Sequence, residues 1–106
     1  MVPAKRARLE AAGWRFGSAA DFLGLDEAEA AIVEMRVALG KSLREARTSR
    51  GWTQAEVARR LGSSQSRVAK MEAADASVSL DLLIRSLLAL GARRRDIARS
   101  IEGRQG

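Results

Sequence analysis

Apolar residues recur at helical spacing through most of the chain and nowhere alternate over a sustained run. Ile32, Met35, Leu39, Leu43 and Ala46 fall three or four apart, which places them on one stripe of a helix with 3.6 residues per turn. Asp26 with Glu29 three residues later is a capping signal ahead of that stripe, and Gly51 follows it, so the pattern predicts a helix over about 27–49. Val33 and Val37 lie off the stripe and predict packing on a second side. Gly40 is expected to loosen the middle of this helix, at about 1 kcal/mol relative to alanine. Upstream, Ser18 followed by Asp21 resembles another starting box, for a helix of one or two turns through Phe22 and Leu23 that ends near Gly24. Trp14 and Phe16 alternate with Arg15, which suits a short extended piece. Residues 1–12 are small, basic and aperiodic and read as a mobile arm.

Beyond Gly51 the helices shorten and their punctuation becomes regular. Thr53 and Glu56 form a capping box for a short helix whose Val57 and Leu61 face inward, whose Ala58 allows close packing, and which stops at Gly62. Ser64 is the natural N-cap of a third helix over about 65–73, anchored by Val68 and Met71. After the loop at 73–78, Ser79 caps a helix with Leu80, Leu83, Ile84, Leu87, Leu88 and Leu90, and Gly91 supplies its left-handed stop. Leu82 sits apart from those leucines, so this helix is apolar nearly all round and is predicted to be central or shared with a partner. A last helix over about 93–102 turns Ile97 and Ile101 inward and Arg93, Arg94, Arg95 and Arg99 mostly outward. The fold class is all-α.

Composition narrows what such a chain can do. With 106 residues, 46% of them apolar, it can build one modest core without a metal or disulfides. No cysteine is present, no apolar run approaches the roughly 18 residues of a membrane span, and Met1 to Leu9 leads into no signal-peptide core. The expectation is a soluble, cytoplasmic protein without a membrane partner. Lacking both His and Cys, the chain has no imidazole base, thiol nucleophile or usual zinc set. Its acids are scattered over helix caps, so no catalytic residue, metal site or cofactor is expected. The formal charge is +6, from 19 Lys and Arg against 13 Asp and Glu, a balance that suits nucleic acid or an anionic surface. Asp21, Asp26, Glu27, Glu29 and Glu34 make the stretch 21–35 acidic, whereas Arg36, Lys41, Arg44, Arg47 and Arg50 make the next one basic.

Two short helices joined by a glycine-containing turn, the second cleanly capped and followed by a leucine-rich helix, form the outline of a helix-turn-helix. With Val68 and Met71 inward, Ser66 and Lys70 lie about 160° and 200° from Val68, and Gln65 and Arg67 flank them at the N-terminal end. A face this low can enter the major groove, where Gln pairs with adenine and Arg or Lys with guanine. The stretch from Gly51 to Gly91 resembles phage-repressor-like (Xre, or Cro/C1-type) regulators. Thr53, Gln54, Val57, Ala58, Leu61, Gly62, Ser64, Gln65, Val68, Met71 and Glu72 fill that family's pattern. The resemblance implies a five-helix helix-turn-helix domain over 31–102, preceded by an N-terminal extension over 13–30 that contains the short helix and followed by a tail over 103–106. It also implies double-stranded operator DNA as partner, with Gln65, Ser66, Arg67 and Lys70 at or near bases and Gln54 on a phosphate. From their places at helix ends, Ser64, Arg47 and Arg50 are expected to join Gln54 on the phosphates, while Arg59 and Arg60 are weaker candidates. A homodimer is expected because one short helix reads only a few base pairs, with the leucine-rich and C-terminal helices as candidates for the contact. The family has Asn-Gly after the recognition helix where this chain has Ala73, Ala74 and Asp75. Near DNA, Asp75 would repel phosphate unless it caps the next helix or turns away.

The extension together with this region also resembles HigA-like antitoxins, which repress their own operon and restrain a RelE/HigB-like toxin. On that reading Trp14, Phe16, Phe22, Asp21 and Glu27 are the expected toxin contacts, acid steering a basic partner. The same aromatics could instead cover the helix through Ile32. Other functions open to the sequence are a stand-alone or prophage regulator, a helical protein-interaction module without DNA binding, and a membrane-surface or nonspecific RNA binder.

Overall fold

A computed structural model describes residues 19–103, with side chains from residue 26 onward. Among the described residues there are five α-helices and no strand: α1 (Ala19–Ser49), α2 (Gln54–Leu61), α3 (Gln65–Glu72), α4 (Leu80–Ala89) and α5 (Arg94–Glu102). The last four lie where the caps and glycines put them. The first departs from expectation, because the short helix ending at Gly24 and the helix starting near residue 27 are one continuous α1. Gly24 weakens a helix but does not break it, and the Ala- and Glu-rich run after it has high helix propensity, so the caps read at Asp26 and Glu29 are interior residues. The expected basic arm, the extended piece at Trp14 and Phe16, and residues 104–106 lie outside the described residues.

Contacts gather residues from Met35 onward into one compact unit. Its centre is made by Leu39 and Leu43 of α1, Val57 of α2, Val68 and Met71 of α3 and Leu83 of α4, each no more than 1% exposed. Removing a side chain of this size from water contributes roughly 1.5–3 kcal/mol, so these six residues alone account for much of why the short helices hold together. Val78, Leu87, Leu90 and Ile97 extend the core, and Trp52, Leu61, Leu82 and Ile84 close its margins half-buried. Ser86, a buried polar residue of α4, donates to the Met71 sulfur.

Four packing expectations change. Ile101 is 39% exposed and so faces water; the last turn of α5 is fastened by Ser100, whose hydroxyl meets that of Ser42. Leu88 likewise points outward, leaving Leu83, Ser86 and Leu87 as the buried side of α4. Val33 and Val37 are about half exposed, at 49% and 52%, so the second packing side expected for α1 is not supplied by the described residues. Gly40 does not loosen α1. A Cβ there would stand 2.6 Å from the Met71 carbonyl oxygen and 3.2 Å from that of Glu72, so the missing side chain is what lets α1 touch the backbone at the end of α3.

Candidate nucleic-acid interface

The helix pair at its centre is set by three local devices. Thr53 and Glu56 satisfy each other's backbone N–H groups at 3.1 and 3.2 Å, which starts α2. Gly62 ends it in the left-handed region at φ 64°, with Ser63 N–H donating back to Ala58. Ser64 restarts the chain as α3, its hydroxyl accepting from Arg67 N–H at 3.2 Å. Val68 and Met71 then fix the rotation of α3, because both are fully buried. Gln65, Ser66, Arg67 and Lys70 consequently stand exposed together. Ser66 shares a hydroxyl contact with Ser64, while the side chains of Gln65, Arg67 and Lys70 make no hydrogen bond or ion pair among the described residues. Beside them runs a polar groove of about 310 Å³ between α3 and the loop that follows, walled by Ser66, Arg67, Lys70 and Ser77.

Beneath this face, Glu72 ties three segments together. Its carboxylate accepts from Arg47 Nε at 2.6 Å and Nη2 at 3.0 Å, and from Gln54 Nε2 at 3.2 Å. The remaining Arg47 nitrogen, Nη1, donates to the Trp52 carbonyl at 3.0 Å. Bonding to Glu72 and its negative charge raise the Arg47 pKa against the opposing effect of burial. The two side chains keep only 15% and 5% of their surface, so Arg47, expected at a phosphate, is turned inward and spent within the fold. Gln54 remains at the start of α2 with one amide N–H held by Glu72 and the other without a partner among the described residues. The neighbouring Arg50 is exposed, with its guanidinium 5.1 Å from the centre of the Trp52 ring; Arg60 stacks on the same ring at 3.9 Å.

The loop at Ala73, Ala74 and Asp75 closes α3 through a left-handed alanine. Ala74 takes φ 56°, in the left-handed region, and Asp75 N–H returns to the Lys70 carbonyl while Ala74 N–H returns to that of Met71, the paired bonds of a Schellman ending. Asp75 neither caps α4, which Ser79 does, nor is left without partners. It accepts from the Ser77 N–H at 2.9 Å and from the Ser77 hydroxyl. These bonds, with the charges of Lys70 and Arg36, lower its pKa. Arg36 also donates to the Val78 carbonyl at 3.0 Å, fastening the loop to α1.

A model of the helix-turn-helix family matches residues 43–97, just over half of the chain and the whole of this arrangement. The chain belongs to that family. It is of the Xre/Cro–C1 type, a DNA-binding transcription regulator. Neither the curated proteins nor the solved structures give a match to it. Among the described residues of this helix-turn-helix protein, no group of three His, Cys, Asp or Glu side chains could hold a metal, and no helix is long and apolar enough to cross a membrane.

Of the residues expected at a toxin, Glu27 is exposed on α1, Trp14 and Phe16 lie outside the described residues, and so do the side chains of Asp21 and Phe22. Sequence reasoning missed three contributors to the interface. Glu72 was visible only as a pattern residue, although an acid directly after the core residue Met71 is the signal of a buried partner. Trp52 gave no periodic signal. Gly40, a glycine inside a strong helical stripe, was the available clue to a close approach.

Proposed function

We propose that this protein is a sequence-specific regulator that binds a double-stranded operator as a homodimer, with α3 of each copy in the major groove. The observation that carries the reading is the exposed set Gln65, Ser66, Arg67 and Lys70, on a helix whose opposite side, Val68 and Met71, is buried; the side chains of Gln65, Arg67 and Lys70 make no hydrogen bond or ion pair among the described residues. Gln65 and Arg67 read base edges, Ser66 and Lys70 touch bases or adjacent backbone, and Gln54, Ser64 and Arg50 bind phosphates. Arg47 acts through Glu72, holding the end of α3 and the amide of Gln54 in place. Such a protein works where the DNA is, in the cytoplasm.

The test is fluorescence anisotropy with DNA from upstream of the protein's own gene. Gln65→Ala and Arg67→Ala are expected each to cost about 1–3 kcal/mol of discrimination between operator and scrambled DNA. Arg50→Ala should weaken all sequences alike and lower the salt slope by about one. Unchanged sequence preference in both recognition-helix variants would overturn the assignment.

A second reading, that the protein also restrains a RelE/HigB-like toxin, is favoured by the exposed acids Asp26, Glu29 and Glu34 on α1. Co-purification with the product of an adjacent reading frame tests it.

A further inference from the structure

Arg50, Trp52 and Arg60 form a cluster that the recognition face does not account for. Both arginines are exposed, and their guanidinium centres stand 5.1 and 3.9 Å from the centre of one indole ring, within the range where a ring face attracts a cation. The tryptophan is fixed on two sides. Its side chain packs half-buried against the core, and its carbonyl accepts from Arg47 Nη1 at 3.0 Å. Arg47 in turn is held by Glu72, which also holds Gln54, so the stacked pair shares its support with the start of α2. Each arginine has acids close by and pairs with none among the described residues. Glu56 precedes Arg60 by four residues, the spacing and order that favour an ion pair on a helix, yet its carboxylate serves Thr53 instead. Arg50 borders a cleft of about 250 Å³ that Glu45 and Asp96 also line, without a hydrogen bond or ion pair to either.

We infer that Trp52 is a positioning residue that keeps Arg50 and Arg60 as a two-cation clamp for the DNA backbone, which adds Arg60 to the phosphate contacts. This rests on the DNA-binding reading above and deepens it. A carboxylate would hold a guanidinium by neutralising it, whereas a ring face holds it and leaves its charge whole for a phosphate. The two guanidinium groups lie no farther apart than the sum of their distances from the ring, so they can engage one phosphate or neighbours on one strand. Arg59 is equally exposed but meets no ring among the described residues, and it stands outside the clamp.

The clamp is tested on the whole chain by the salt dependence of its binding to duplex DNA, both from upstream of its own gene and scrambled. Arg60→Ala should lower the slope of log affinity against log salt by about one on both duplexes. Trp52→Leu should lower it by about one to two, because both arginines can then fall onto their acids, and Trp52→Phe should recover most of the loss by restoring a ring face. In the Trp52→Leu background, Arg60→Ala should add little. A merely structural Trp52 would lower the melting temperature in Trp52→Leu and leave the slope of the folded protein unchanged. A second measurement keeps the ring intact: with Trp14→Phe, Trp52 is the one indole of the chain, and DNA should change its fluorescence by an amount that Arg60→Ala diminishes. An unchanged slope in Arg60→Ala or in folded Trp52→Leu would overturn the clamp, as would Trp52 fluorescence indifferent to bound DNA, while leaving DNA binding standing. A wild-type chain that binds neither duplex would overturn the DNA-binding reading itself and the clamp with it.

Discussion

Replacing Gly40 with alanine sets two effects of opposite sign against each other. Alanine in a helix interior is favoured over glycine by about 1 kcal/mol, so propensity alone predicts a more stable protein. The added methyl group, however, would stand 2.6 Å from the Met71 carbonyl oxygen, about 0.8 Å short of ordinary contact, and its other close neighbour is also backbone. No side chain can swing aside to relieve it; α1 and the end of α3 must separate. Overpacking of this kind costs about 1–3 kcal/mol, so the net expectation is a loss of about 1 kcal/mol, or several degrees in melting temperature for a domain of this size. The displaced end of α3 carries Lys70 and Glu72, so operator affinity should fall several-fold as well. Thermal unfolding followed by circular dichroism, with operator binding measured alongside, checks both effects, and Gly40→Ser should be worse than Gly40→Ala. A rise in melting temperature for Gly40→Ala with unchanged binding would refute the close approach of α1 and α3.

Ala74→Gly should stabilise the protein by about 0.5–1 kcal/mol, because a left-handed alanine costs about 1–2 kcal/mol and the greater freedom of glycine in the unfolded chain returns only part of that; chemical denaturation measures it. Glu72→Gln leaves the Arg47 charge buried without its counterion and should cost about 2–3 kcal/mol, whereas Glu72→Leu with Arg47→Met should recover most of the loss. The same pair of variants should lose operator affinity through Gln54, which calorimetric titration would show. Asp75 and Asp96 have pKa values lowered chiefly by hydrogen bonds, from Ser77 and from the Arg93 backbone respectively. Their contribution is present above the unfolded carboxylate value of about 3.9 and is lost as pH falls through the lower folded values. Melts from pH 6 to pH 2.5 should therefore show the penalty of Asp75→Asn shrinking at the acid end.

How much of this was legible from residues alone follows from whether a feature is local. Caps are local: Thr53 with Glu56, Ser64, Ser79 and the left-handed glycines each act within one turn, so α2 to α5 could be bounded without tertiary information. The core side of α3 was equally plain, since burying Val68 and Met71 fixes where Gln65, Ser66, Arg67 and Lys70 point. What failed was the reading of residues whose partner is distant in sequence. Arg47 looked like a surface cation until Glu72, 25 residues away, was seen to hold it. Gly40 looked like a weak point because the Met71 carbonyl it accommodates belongs to another helix. Asp26 and Glu29 resembled a helix start because the residues that begin a helix are also tolerated inside one, and only the continuity of α1 decides between the two.

The grip of Glu72 on Arg47 and Gln54 separates what holds α3 from what α3 displays. Its anchors are Val68, Met71 and Glu72; its display positions are 65, 66, 67 and 70, and the two sets do not overlap. New residues at the display positions can therefore change which DNA is chosen at little cost to folding, so the helix serves as an exchangeable reading head on a fixed mount.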